Sequence, residues 1–283
     1  MDAAVRAQVK CPVLVGVDGS THNASAVAWA AAEAWSSPDK PPLVLVHGSE
    51  GPEESSSIGR AILERALADV ARQAPGLDVV TEVRHGGVQA ALRSAATTWS
   101  APCQAPVPAL LVLGRRGHGP SRRVRLGMTA RRLVHEAGPA VVVVPEVWAP
   151  GTTPVDAPVV VDVGEDEQEG MRTLGVAMDR AAREGRRVLA VLVWSAAPPL
   201  DPPDRPIGEV WADHADRAER ALETFLRPWR QAYPEVVLDG VTTDRHAVAA
   251  LLDHAEGAEL LVVPRGDRGC AVVEYAEGPV AVV

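Results

Sequence analysis

Lysine is almost missing from this 283-residue chain: Lys10 and Lys40 are the only two, and arginine supplies the rest of the 28 basic residues. Mechanisms that need a lysine nucleophile, or the lysine of a Walker-type phosphate loop, are poorly served by such a composition. Cysteine is equally scarce. Cys11, Cys103 and Cys270 are far apart, odd in number and at no metal or redox spacing, so the expectation is a reducing, cytoplasmic setting. No apolar run approaches the ~20 residues that span a bilayer, and the opening MDAAVRAQVKCP lacks the apolar stretch of a signal peptide, so neither membrane nor export is expected. A formal net charge of −9 disfavours bulk binding to nucleic acid or anionic membrane. The histidines are scattered without a metal pattern, and Ser20 lacks the Gly-x-Ser-x-Gly setting of a hydrolase nucleophile.

One stretch reverses the local sign of charge. From Gly114 to Ala130 there is no acidic residue, while Arg115, Arg116, Arg122, Arg123 and Arg125 lie within it and Arg131 and Arg132 just beyond. It follows an apolar run, Ala109 to Leu113, that reads as a buried parallel strand. Glycines there let the backbone approach a ligand. The helix-period segment from about Gly127 to Ala137 turns its N-terminal N–H groups back toward the loop. Together these describe a seat for phosphate, the alternative being a solvated surface loop.

The rest of the first half alternates strands with helices. Pro12 to Val17 is a strand ending in Asp18-Gly19-Ser20, followed by a helix from about Asn23 to Trp35. Leu43 to His47 and Val79 to Arg84 are strands. Ile58 to Gln73 and Val88 to Trp99 have helical periodicity, and Val141 to Val144 is a further apolar strand. Such alternation implies right-handed crossovers and a parallel sheet covered on both faces. Ligands of such sheets sit at the carboxyl ends of the strands. If strands one and four are neighbours, Asp18 faces Gly114 across that crevice. Its carboxylate is then a partner for ribose hydroxyls or Mg²⁺, or else a turn residue capping the next helix. After a Pro/Gly/Thr linker, Trp148 to Ala157, the pattern restarts: Pro158-Val-Val-Val-Asp-Val mirrors Pro12-Val-Leu-Val-Gly-Val, and Gly278 to Val283 mirrors Gly138 to Val143. The chain is an internal duplication, with domains at 1–150 and 151–283.

Val17-Asp18-Gly19-Ser20, Leu45-Val46-His47, Gly114-x-x-Gly117 with Gly127 after nine intervening residues, and Gly138-Pro139-Ala140-Val141 to Pro145 resemble the universal stress protein family in tandem two-domain form. The resemblance implies two Rossmann-like (adenine nucleotide alpha hydrolase-like) α/β domains, each a parallel sheet of about five strands in the order 3-2-1-4-5. It implies a site for ATP with Mg²⁺ over strands one and four of the first domain. Asp18 would contact ribose or metal, between Val17 and Gly19. Gly114, Arg115, Gly117, Gly127, Met128 and Thr129 would surround the phosphates, and Val46 would touch adenine. Family members also pair their last strands across a dimer. Here the two domains would do so within one chain, with a homodimer and an unidentified protein partner left open.

Two departures qualify that expectation. Nucleotide-binding members usually carry Ser or Thr directly after the last glycine and a hydroxyl two residues later; here those positions are Met128 and Ala130, with Thr129 between them. In the second domain, Gly164, Glu165 and Asp166 stand where Asp18, Gly19 and Ser20 stood, and about ten residues, read as those of the phosphate loop and helix start, are gone between Pro264 and Gly278. The second domain is therefore expected to hold no triphosphate. The reading is a stress-response regulatory or binding protein, not a metabolic enzyme, with nucleotide in the first domain only. The alternatives are a scaffold that binds no small molecule and a weak ATP hydrolase. His47 and His118 have no nucleophile at a recognisable spacing and are assigned to strand end and loop.

Overall fold

A computed structural model of the chain describes residues 11–49, 56–101, 103, 110–117, 125–136, 138–164, 166–194 and 206–283. The expected basic-loop residues His118, Arg122 and Arg123, and Glu165 of the second half, lie outside them. Two compact units divide at Pro150 and Gly151.

Unit 1 contains strands β1 (Val13–Gly16), β2 (Leu43–Ser49), β3 (Val79–His85), β4 (Leu110–Gly114) and β5 (Val141–Val144). Its helices are α1 (Ala24–Ser36), α2 (Ser56–Gln73), α3 (Val88–Ser100) and α4 (Met128–His135). The strands are parallel in the order β3-β2-β1-β4-β5. β1 is central, with Val13 beside both Leu43 and Leu110, and Val15 beside both Leu45 and Val112. Its short Val/Leu sequence suits that position, since a strand covered on both faces carries no polar side. The α1 helix begins where its sequence suggests. Asn23 ends a 3-10 turn (Thr21–Asn23) and is the N-cap of α1, and its buried side-chain Nδ2 donates to the Gly16 carbonyl at 2.9 Å.

Unit 2 repeats the plan. Strands β6 (Val159–Asp162), β7 (Val188–Val193), β8 (Leu238–Thr243), β9 (Leu260–Val263) and β10 (Val280–Val282) run parallel in the order β8-β7-β6-β9-β10. Helices α5 (Glu167–Glu184), α6 (Ile207–Ala232), α7 (Ala247–His254) and α8 (Asp267–Tyr275) complete it. Helix α5 is delimited by local chemistry at both ends. The Asp166 carboxylate accepts the Glu169 N–H at 2.9 Å, and Gly185 closes the helix in the left-handed conformation (φ 65°). Helix α8 corrects the sequence reading, which counted the helix start among the missing residues. The chain turns at Gly266 (φ 112°) straight into a helix that buries Gly269, Cys270, Val272 and Val273. The deletion removed the loop and kept the helix, because the sheet still needs that face covered.

A buried ion pair ties α5 to the start of β9. Arg180 donates from Nε to Glu259 Oε2 at 2.8 Å and from Nη2 to Oε1 at 2.6 Å; Glu184 accepts from the same guanidinium at 3.1 Å. Removing one partner of such a pair strands the other in a low-dielectric interior. Glu259→Ala is expected to cost unit 2 about 3 kcal/mol, read as a lower urea midpoint with an unchanged slope.

Candidate functional site

The carboxyl ends of β1 and β4 bring together what the sequence places about a hundred residues apart. Asp18 lies just past β1, and its Oδ1 accepts the Ser20 N–H at 2.9 Å, an Asx turn. Its Oδ2 faces Gly117: a Cβ added at that glycine would overlap the carboxylate oxygen. Gly19 sits at φ 78°, where its missing side chain also makes room for Ile62. Gly127 donates its N–H to the Arg115 carbonyl at 2.8 Å, which holds the residue after β4 against the start of α4. Asp18, Gly19, Gly114, Gly117 and Gly127 therefore share one crevice edge.

Other expected residues are placed differently. Val46 is fully buried, and its carbonyl accepts the Val17 N–H at 2.8 Å, so neither its side chain nor that oxygen is offered to a ligand. Val17 is buried too; its carbonyl accepts from His47 Nδ1 at 2.7 Å, which fixes the tautomer of His47 and gives it a structural role. Met128 is the first residue of α4 and 69% exposed, Thr129 is half-buried, and Ala130 is packed into the core. Gly127 is the N-cap of α4. Among the described residues, no three of His, Cys, Asp and Glu are grouped as a metal site.

Glu146 was missed. It stands two residues beyond β5, on the same edge as the loop that follows β4. Its carboxylate is bound by the Arg116 guanidinium and by Arg115 Nη2 at 3.2 Å, with His22 Nδ1 at 3.9 Å. Its own carbonyl accepts from Ser25 Oγ at 2.8 Å. Burial works to raise the Glu146 carboxyl; its backbone N–H and the Arg116 and Arg115 guanidiniums outweigh that and hold it below the ordinary glutamate range. The first two arginines of the basic loop thus already have an anion. The available signal was an acidic residue just past the strand that neighbours β4.

In unit 2 the matching crevice edge is built for a different purpose. Asp162, at the position of Gly16, is fully buried; its Oδ1 accepts the Gly164 N–H at 2.9 Å and its Oδ2 contacts Arg268 Nη1, from α8, at 3.2 Å. An internal ion pair joins the ends of β6 and α8 where the β1 strand of unit 1 ends in Gly16. Of the two carboxylates that stand in place of Gly19 and Ser20, Asp166 caps α5 and Glu165 lies outside the described residues.

The fold and this edge define a tandem, doubly wound parallel α/β protein of Rossmann-like class. A universal stress protein of Archaeoglobus fulgidus superposes with a TM-score of 0.64 at 13% identity, covering 96% of this chain and 95% of that one. A functionally unknown protein of Pseudomonas aeruginosa gives 0.62 at 14%, covering 98% and 93%. The sequence profile of the universal stress protein family matches residues 12–145. A universal stress protein of Mycolicibacterium smegmatis is 30% identical over 284 residues, covering 94% of this chain and 90% of its own length. One from Mycobacterium tuberculosis is 29% identical over 289 residues, covering 93% and 88%. The chain belongs to the universal stress protein family.

The apposition of Asp18 and Gly117 is directly testable. Gly117→Ala is expected to lose about 1–2 kcal/mol of stability, and Asp18→Ala in the same chain to recover roughly 1 kcal/mol of it. Thermal melts of the two single variants and the double variant measure the coupling; simple additivity would show that the residues do not meet.

Proposed function

We propose that this stress-response protein is a regulator that binds an adenine nucleotide in unit 1 alone, with Mg²⁺ carried by the nucleotide phosphates. The observation that carries the reading is the Asp18 carboxylate set against a glycine that has no room for a side chain. One carboxylate completed by phosphate oxygens is an ordinary environment for Mg²⁺, so the residues present fit the metal only with its nucleotide. Asp18 would take the ribose or metal, and Gly114, Gly117 and Gly127 the phosphates. Unit 2, with Asp162 and Arg268 joined across its crevice, would act as a structural or regulatory partner. The reading is of binding without turnover, since His47 is engaged by the main chain and the Asp18 carboxylate would be occupied by ribose or metal.

A second reading, a scaffold that binds no small molecule, is favoured by the pairing of Arg115 and Arg116 with Glu146 and by an exposed methionine at the start of α4. Calorimetric titration with ATP and Mg²⁺ separates the two. On the first reading, binding saturates near one ATP per chain and Asp18→Ala abolishes it. Met128→Ser, which restores a hydroxyl at the helix start, tightens binding roughly five- to tenfold, the equivalent of about 1 kcal/mol. Glu146→Gln, which removes the carboxylate charge that competes for the two guanidiniums, also tightens it. No heat at millimolar ATP from any of these proteins would overturn the first reading and leave the scaffold.

A further inference from the structure

The cysteines contradict the expectation that they are unrelated. Cys11 and Cys103, 92 residues apart in sequence, are paired as a disulfide, with Cα atoms 5.5 Å apart, well inside the window for such a bond. Cys11 lies two residues before β1, and Cys103 lies in the connection that follows α3 and leads to β4. β1 and β4 are neighbours, so the two sulfurs meet at the amino-terminal edge of the sheet. That is the opposite edge from Asp18 and Gly117. The bond clips together the entrances of the two strands whose exits form the crevice.

We propose that this pair is an oxidation-responsive modification site: a dithiol that closes and reopens by exchange with a low-molecular-weight disulfide and fastens the entry ends of β1 and β4. Both cysteines are partly exposed, so a small reagent reaches them, whereas Cys270 is buried and takes no part. The open form is provided for as well. Cys103 Sγ lies 3.4 Å from the Trp99 carbonyl oxygen, an acceptor for its thiol proton when the bond is broken. Leu14, Val15, Leu45, Leu111 and Val112 are fully buried in a core to which neither partly exposed cysteine belongs, so the reduced chain is expected to stay folded. In closing, one thiolate attacks the small disulfide and displaces one small thiol. The second protein thiolate then attacks the mixed disulfide and displaces the other. Two thiols and one external disulfide become one protein disulfide and two external thiols. The protein sulfurs lose two electrons to the external sulfurs, and the two thiol protons end on the released thiols.

The test uses the full chain without nucleotide, so its result is independent of the reading above. The protein is equilibrated in buffers of graded oxidised to reduced glutathione, quenched by alkylation and mapped by mass spectrometry. The expected product is a single linked peptide pair containing Cys11 and Cys103, reversed by dithiothreitol, with Cys270 unlinked. The oxidised form melts about 5–10 °C above the reduced form. That difference vanishes in both Cys11→Ser and Cys103→Ser, whose melts match the reduced wild type. Glutathione found singly on either cysteine without the linked pair would overturn the proposal. So would equal melting temperatures of the two redox forms, or a link that reductant does not reopen.

Discussion

Everything in each unit follows from a strand that can tolerate water on neither face. β1 reads Val-Leu-Val-Gly and is buried up to Gly16, and β5 reads four valines in a row, all buried. A parallel strand of that kind must be flanked by strands and roofed by helices on both sides. Each connection must therefore travel back over the sheet before the next strand begins. The consequence is an edge where every strand exits. The turns placed there are released from the packing rules that govern the strands, which is why Asp18, Gly114 and Glu146 can differ so much in chemistry while sharing one edge.

The duplication shows how differently one edge can be finished. In unit 1 the exits of β1 and β4 carry Gly16 and Gly114, and a longer connection separates β4 from α4. In unit 2 the glycine has become Asp162, the loop has gone, and α8 brings Arg268 directly to the carboxylate. A buried carboxylate inside a sheet is tolerable only with such a partner. Loss of the loop and gain of the ion pair are two halves of one change, since the shortened connection is what lets the first turn of the helix approach the strand.

Much of this was legible in the sequence because it is written in periodicity and small residues. Apolar runs separated by helical stretches gave the strand order through family resemblance, and the Asp18 and Gly114–Gly117 turns were marked by their glycines. What stayed hidden is what depends on side chains meeting across the sheet. Glu146 has no motif; it matters because β5 lies beside β4. Cys11 and Cys103 have no spacing that signals a pair; they meet because β1 lies beside β4 and each cysteine precedes one of those strands. Val46 was placed near a ligand by resemblance, whereas its position inside β2 commits its side chain to the core. Helix α8 was obscured by a deletion that was counted correctly but assigned to the wrong element.

The pairing of Glu146 with Arg115 and Arg116 also bears on ionic strength. A basic loop with unengaged guanidiniums gathers small counterions and releases them when an anion arrives, which makes capture steeply salt-dependent. Here a tethered carboxylate already occupies that role and holds it at constant local concentration. An anion arriving at these two arginines exchanges with Glu146 instead of displacing ions to the bulk. Its advantage is then set by how much better it fits the two guanidiniums than a carboxylate does, with little contribution from the salinity of the surrounding solution.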